Sequence, residues 1–471
     1  MIFDFRRFVL AFAIPLALVC MGCGGVPGQT LPDESTAPID PARFELVARF
    51  AHLSDAQILD EESPARLATF ADLSMSAWRP QEAYTTQLLD GAVRAVNKTH
   101  AYGETIHFAV HTGDALDNAQ FNELQWFMTC MNGGLVDPRS GPDDRNPATL
   151  PSPLLDPHHP FEAQGLYRNG VHGDRATIPW YAVFGNHDRY AVGVFPIIVD
   201  NRGHATTPLP ANIRLPLFFP ASLDPTGSLS WGLITPGNPG PPIVPLLPVS
   251  ITADADRRYI STGEWIAAHL DSTGTPPGHG FNEDAPERTW FSAAVAPGVR
   301  LISLNTSDAI IEQPRLVHSE GAISFQQLLF LRNELRAAET RGDVVIVATH
   351  HPSLSLDITL GTALTAATMI DLLNSYPSVK LHIAGHWHSH AAFDRGGYAE
   401  LVTGSLVDAP QQGRVVELWR DRADPGRIEL RYRFLSHLDE IEPLDGSIPR
   451  LDDPMLPMRR IAAELAGVMV R

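Results

Sequence analysis

Ile178-Pro179-Trp180-Tyr181-Ala182-Val183-Phe184-Gly185-Asn186-His187-Asp188 decides how this chain is read. A β-type apolar run ends at a glycine, and three side chains able to carry chemistry follow at once. The same arrangement recurs along the sequence. Run 47–53 ends at Ser54-Asp55-Ala56-Gln57, run 106–111 at Thr112-Gly113-Asp114, and run 299–304 at Asn305-Thr306. Run 344–348 ends at Thr349-His350-His351-Pro352 and run 379–384 at Gly385-His386-Trp387-His388. Between the runs lie helical patterns at about 81–96, 118–131, 324–338 and 364–374, and strands 401–403, 415–419 and 428–434 close the pattern. Alternating strands and helices predict a layered α/β core. Loops at the carboxyl ends of strands are where such folds bind ligands, so the polar loops are expected at one rim.

These loops hold the parts of a two-metal hydrolytic site. Hydrolysing a phosphate ester near neutral pH requires a strong nucleophile and compensation of oxygen charge. Two ions a few Å apart supply both, through a bridging water made hydroxide and a clamp on the phosphoryl oxygens. Asp114 is read as the carboxylate shared between the ions. Asp55 and His388 complete one half, and Asn186, His350 and His386 the other. His187 is expected to face the substrate as general acid or hydrogen-bond donor, with Asp188 orienting it.

The combination of Ser54-Asp55, Gly113-Asp114, Gly185-Asn186-His187-Asp188, His350 and Gly385-His386-Trp387-His388 resembles the calcineurin-like metallophosphoesterase superfamily. Purple acid phosphatases and class III cyclic-nucleotide phosphodiesterases belong to that group. The resemblance extends over about residues 44–438 and is nearer to an uncharacterised bacterial subgroup, through stretches such as Ser54-Asp55-Ala56-Gln57. It implies a four-layer αββα sandwich and a pair of divalent or trivalent ions, Fe, Mn or Zn. The first motif of that superfamily normally reads Asp-x-His; here it is Asp55-Ala56-Gln57. An amide oxygen is a harder donor than imidazole, so Gln57 as a ligand tilts the site toward Mn or Fe over Zn. Asp117 is read either as a helix N-cap with Gln120 or as an additional ligand. His351, next to Pro352, is expected behind His350. Arg414 is read as a donor to a substrate phosphate or as a surface ion pair, and Asp60, Glu61 and Glu62 as an acidic surface loop or as a help in metal binding.

The rest of the sequence limits the setting. A net charge of −19 excludes nucleic acid as a standing partner. Arg6-Arg7, an apolar run to Val19 and Gly22-Cys23-Gly24-Gly25 read as a lipoprotein-type export signal over 1–22, with Cys23 lipid-bearing. Residues 23–43 then read as a flexible tether, 44–440 as the metallophosphoesterase domain and 441–471 as a C-terminal tail. Segments 132–177 and 189–297, rich in Pro and Gly, read as insertions flanking the site. With Cys20 removed and Cys23 acylated, Cys130 stands alone and no disulfide framework is expected. The expected protein is an exported, membrane-tethered phosphoesterase of the cell envelope. Its substrate would be a small phosphate mono- or diester or a lipid headgroup. The alternative is a metal-stabilised binding or structural lipoprotein with little activity.

Overall fold

The computed structural model describes residues 29–66, 79–140, 157–169, 175–199, 205–208, 222–230, 249–308, 319–438 and 453–468. The leader and Cys23 lie outside the described residues. Twelve strands make two mixed sheets. In chain order these are β1 (Gln29–Thr30), β2 (Phe44–Leu53), β3 (Phe108–His111), β4 (Trp180–Ala182), β5 (Phe291–Ala296), β6 (Val299–Ser303), β7 (Val344–Ala348), β8 (Val379–Ala384), β9 (Ala391–Asp394), β10 (Ala399–Val402), β11 (Gln412–Asp421) and β12 (Ile428–Ser436). One sheet runs β12-β11-β2-β3-β4 and the other β1-β9-β10-β8-β7-β6-β5. The α/β class read from the sequence is therefore present.

The central strands of each sheet are parallel: β2, β3 and β4 in one, β6, β7, β8 and β10 in the other. Every residue of β3 (FAVH) and β7 (VVIVA) is buried, as strands covered on both faces require. Alternation along the second sheet divides two cores. Leu301, Ile346, Leu381 and Ile383 join Phe50, Phe108 and Val110 of the first sheet in one apolar cluster. Their neighbours Ile302, Val345 and Val347 turn the other way, onto Leu328, Leu331 and Leu335 or Met369 and Leu373.

Among the described residues six α-helices surround the sheets: α1 (Thr85–Ala101), α2 (Phe121–Asn132), α3 (Thr262–Leu270), α4 (Phe325–Arg341), α5 (Ala366–Asn374) and α6 (Leu456–Leu465). Ser324 caps α4 by accepting from Gln327 N, and Gly342 ends it in the left-handed region at φ 74°. Cys130 on α2 is buried, and burial pushes its thiol well up.

Three regions depart from the sequence reading. Phe291–Ala296, expected within an insertion, is an edge strand of the seven-stranded sheet, and α3 places Trp265 and Ile266 in the main core. Their apolar positions are too few and too short in span to show a period. The expected tether is anchored from Gln29 onward, where β1 pairs with β9, Ser35 bridges Tyr432 and Tyr432 Oη donates to Pro32 O at 2.8 Å. The expected tail contains α6, whose Met458 and Ala462 enter the main core.

Arg459 holds α6 in place. Its guanidinium is fully buried, donates Nη1 to Asp453 Oδ1 at 2.8 Å and Nη2 to His437 O at 3.2 Å. Its stem crosses α1 at Gly91, where any β-carbon would overlap it. Arg459→Ala leaves Asp453 with Lys98 as its remaining partner at 3.2 Å and opens a void beside α1. The expected cost is about 3 kcal/mol, read as a lower midpoint in urea denaturation of the full chain.

Candidate metal centre

The loops after β2, β3, β4, β7 and β8 meet at one rim. Five of the residues there occupy the left-handed region: Asp55 at φ 51°, Gln57 at 40°, Asp114 at 53°, His386 at 70° and His388 at 53°. Residues with a β-carbon rarely adopt that conformation, and it is found where surroundings enforce it. It lets His386 and His388, two apart in sequence, both turn toward the rim. Gly185 and Gly385 permit the closest approaches. A β-carbon at the first would overlap Asp114, and at the second Ser54 and Asp55.

Asp188 enforces the geometry. Its carboxylate accepts backbone N–H groups from Gly185 at 2.8 Å, Asp114 at 3.1 Å, Ala115 at 3.0 Å and Leu116 at 3.1 Å. One side chain thus fastens the β3 loop to the β4 loop. Burial, with Asp114 close by, pushes its carboxyl up to about 7. The expectation that Asp188 orients His187 is corrected. His187 is oriented by the Asp117 carbonyl, which its Nδ1 meets at 2.8 Å. A carbonyl only accepts, so Nδ1 carries the proton and Nε2 is left to face Asp114 Oδ2 at 4.0 Å.

Ligand atoms of Asp55, Asp114 and His350 lie within 4.8 Å of one another, and so do those of His350, His351 and His386. The hydrogen bonds around them test whether cations fit. His350 Nδ1 donates to Thr112 O at 2.8 Å, which leaves the Nε2 lone pair 3.1 Å from Asp114 Oδ2. His388 Nδ1 donates to Asp408 Oδ2 at 2.6 Å, which leaves its Nε2 lone pair 3.3 Å from Asp55 Oδ1. Asn186 Nδ2 donates to Gly193 O at 2.9 Å, and its Oδ1 is buried without a hydrogen-bond partner. Acceptors that face each other at such distances repel unless a cation lies between them. A proton can serve. Burial opposes it, yet Asp114 lifts His350 to about 9, and Asp408 with Asp55 lifts His388 to about 10. A divalent ion serves better, because it neutralises more charge. Oxygen and imidazole donors without thiolate suit Mn, Fe or Zn.

The structure thus brings Asp55, Asp114, Asn186, His187, His350, His386 and His388 together. His351 stands beside His386, ring centroids 4.3 Å apart, but both of its nitrogens are engaged, by Thr306 Oγ1 at 2.7 Å and Ser319 O at 3.2 Å. Gln57 is placed differently from the expectation. Its Oε1 accepts from Arg79 Nη2 at 2.5 Å, and its Nε2 faces His388 Nε2 at 3.3 Å. Asp117 is not the helix cap. It pairs with Arg79 at 3.2 Å, and the α2 cap is Gln120, which forms a capping box with Glu123. Arg414 is buried away from the rim, donating to Asp33 O and to Val402 O, so it does not reach a substrate at the site. Asp60 and Glu61 are buried rather than on the surface, paired with Arg257 at 2.9 Å and His158 at 2.6 Å.

Arg79 and Asp408 were not singled out by the sequence. Neither lies in a recognisable pattern, and Asp408 gains meaning only through His388. A carboxylate behind a ligating histidine fixes its tautomer and raises its basicity. Asp408→Ala is expected to lower metal affinity about 10–100-fold, measured by titrating metal-free protein with MnCl2.

No family model matches the chain. It is 33% identical over 127 residues to a probable cyclic nucleotide phosphodiesterase from Synechococcus sp. (strain WH7803), a match covering 23% of this chain and 43% of that protein. The chain therefore spans less than half of that curated relative. Among solved structures it is similar to a dimetal phosphatase from Danio rerio, with 14% identity, a TM-score of 0.42 and coverage of 83% of this chain and 100% of the other. It is also similar to a putative 5'-nucleotidase from Staphylococcus aureus, with 18% identity, a TM-score of 0.24 and coverage of 43% and 38%. Over the matched residues the chain is thus similar to a probable phosphodiesterase, and its strand-end loops bring His and Asp side chains together in groups able to hold a metal ion.

Proposed function

We propose that this protein is a metal-dependent phosphoesterase that uses two ions, Mn or Fe before Zn, to hydrolyse a phosphate mono- or diester. The observation that carries the reading is the pair of facing acceptors: His350 Nε2 against Asp114 Oδ2 at 3.1 Å and His388 Nε2 against Asp55 Oδ1 at 3.3 Å. When bound, such ions supply a deprotonated water at neutral pH and neutralise charge on the phosphoryl oxygens. Asp114 would lie between them. Asp55 and His388 would hold one, and Asn186, His350 and His386 the other.

The protein's own contribution is orientation and a proton. Thr112 O and Asp408 fix the rings of His350 and His388 with Nε2 forward. His187 is held the same way by the Asp117 carbonyl, and its imidazolium form presents an Nε2 proton toward the rim. It would deliver that proton to the leaving oxygen or donate to a phosphoryl oxygen.

The substrate reading is broader. A phosphomonoester, a cyclic nucleotide, a glycerophosphodiester and a lipid phosphate all suit this chemistry. The name of the curated relative favours a diester. We propose an exported protein anchored through Cys23, which would place it near envelope phosphates. The engagement of Gln57 by Arg79 favours one second reading, a metal-stabilised binding or structural lipoprotein of low activity.

Turnover of p-nitrophenyl phosphate and its bis-ester with added Mn separates the two. His187→Ala is expected to lower kcat by about 10²–10⁴-fold while elemental analysis finds unchanged metal content. Absence of turnover of either ester by the metal-loaded parent would contradict the enzymatic reading.

A further inference from the structure

We infer that one half of the metal centre contains a resident organic cation, the guanidinium of Arg79, and that it makes the two ions bind with unequal affinity. The inference rests on the two-metal reading above.

Arg79 is 3% exposed, and all three of its guanidine nitrogens are committed. Nε donates to Asp408 Oδ2 at 3.0 Å, Nη1 to Asp117 Oδ1 at 3.2 Å and Nη2 to Gln57 Oε1 at 2.5 Å. Its backbone N–H donates to Glu82 Oε2 at 3.0 Å, which ties it to the turn before α1. A planar fork with fixed N–H directions makes this three-way engagement possible.

Each contact removes something from the half-site of Asp55 and His388. Gln57 has a single oxygen, and Arg79 uses it. The amide cannot turn over, because its NH2 would then face the guanidinium N–H. The NH2 is therefore left toward His388, 3.3 Å away. Asp117 is occupied on one oxygen by Arg79, while the other accepts from Asn118 Nδ2 at 3.3 Å. Asp408 serves Arg79 and His388 Nδ1 with the same oxygen. What remains for an ion here is Asp55, Asp114 and His388. The other half keeps Asp114, Asn186, His350 and His386. The first half thus has one protein donor fewer and a fixed positive charge in its second layer, both of which weaken cation binding.

Arg79 is accordingly a positioning residue. It orients Gln57 and, through Asp408, His388, and it holds the adjacent ion loosely enough to exchange. An ion held by Asp114, Asn186, His350 and His386, none of which bonds to Arg79, would be the tightly bound one.

Calorimetric titration of the metal-free full chain with MnCl2 tests this. The parent is expected to bind one ion tightly and a second at least about tenfold more weakly. Arg79→Met removes the charge and releases Gln57 and Asp117, so the weak ion is expected to tighten about tenfold with the tight one unchanged. A residue that only supports the fold would weaken both ions when replaced. Should Arg79→Met fail to fold, Arg79→Lys carries the test, since it keeps a charge but loses the fork; the weak ion should tighten by about threefold. Two equal sites in the parent would overturn the inference, as would a weak ion unchanged or weakened in the folded variants. No Mn bound by the parent would instead defeat the metal-centre reading itself.

Discussion

His350 Nε2 and Asp114 Oδ2 face each other at 3.1 Å, and neither carries a hydrogen when the His350 proton is on Nδ1, donated to Thr112 O. The rest of the site is arranged around that pair. In a buried setting two lone pairs at this distance are unfavourable, and Asp55 joins the same group, its Oδ1 3.3 Å from His388 Nε2, while Asn186 Oδ1 of the β4 loop is buried without a partner. Buried polar groups are ordinarily hydrogen-bonded. A buried cluster of carboxylates and imidazoles, with Asn186 Oδ1 unpartnered, suits cations, and the hydrogen bonds behind it hold its rings in place.

The cost of building that cluster is distributed over the fold. Left-handed backbone at Asp55, Gln57, Asp114, His386 and His388 opposes folding locally. Asp188 offsets part of it with four charge-assisted N–H bonds that join the β3 and β4 loops. The loops themselves grow from strands covered on both faces, so their roots are rigid. A site built on such elements keeps its geometry without relying on loop packing.

Sequence alone made the outline legible and left its internal wiring hidden. Apolar runs that stop at Gly-Asn-His-Asp or Gly-His-Trp-His announce both a buried strand and a chemical loop, and those residues do converge. Side-chain direction was not legible. Asp188 follows His187 directly, yet the turn sends the carboxylate to four backbone amides and the imidazole to Asp117 O. Gln57 and Asp117 looked like donors for a metal because their competitor, Arg79, lies 22 residues beyond Gln57 in no pattern. Arg414 belongs to β11, where it turns toward Asp33 O and the N-terminal segment instead of the rim. Asp60 reads as a surface acid until Arg257, 197 residues away, covers it. These are long-range pairings of charge, which leave no periodic trace.

The central claim is that Asp114 is shared by two cations. A crystal structure of the full chain grown with MnCl2, with anomalous scattering recorded at a wavelength sensitive to Mn, tests it directly. The account predicts two anomalous peaks flanking the Asp114 carboxylate, one beside Asp55 and His388, the other beside Asn186, His350 and His386. A map without peaks at that rim, with His350 still bridged to Asp114 by a proton, would contradict it.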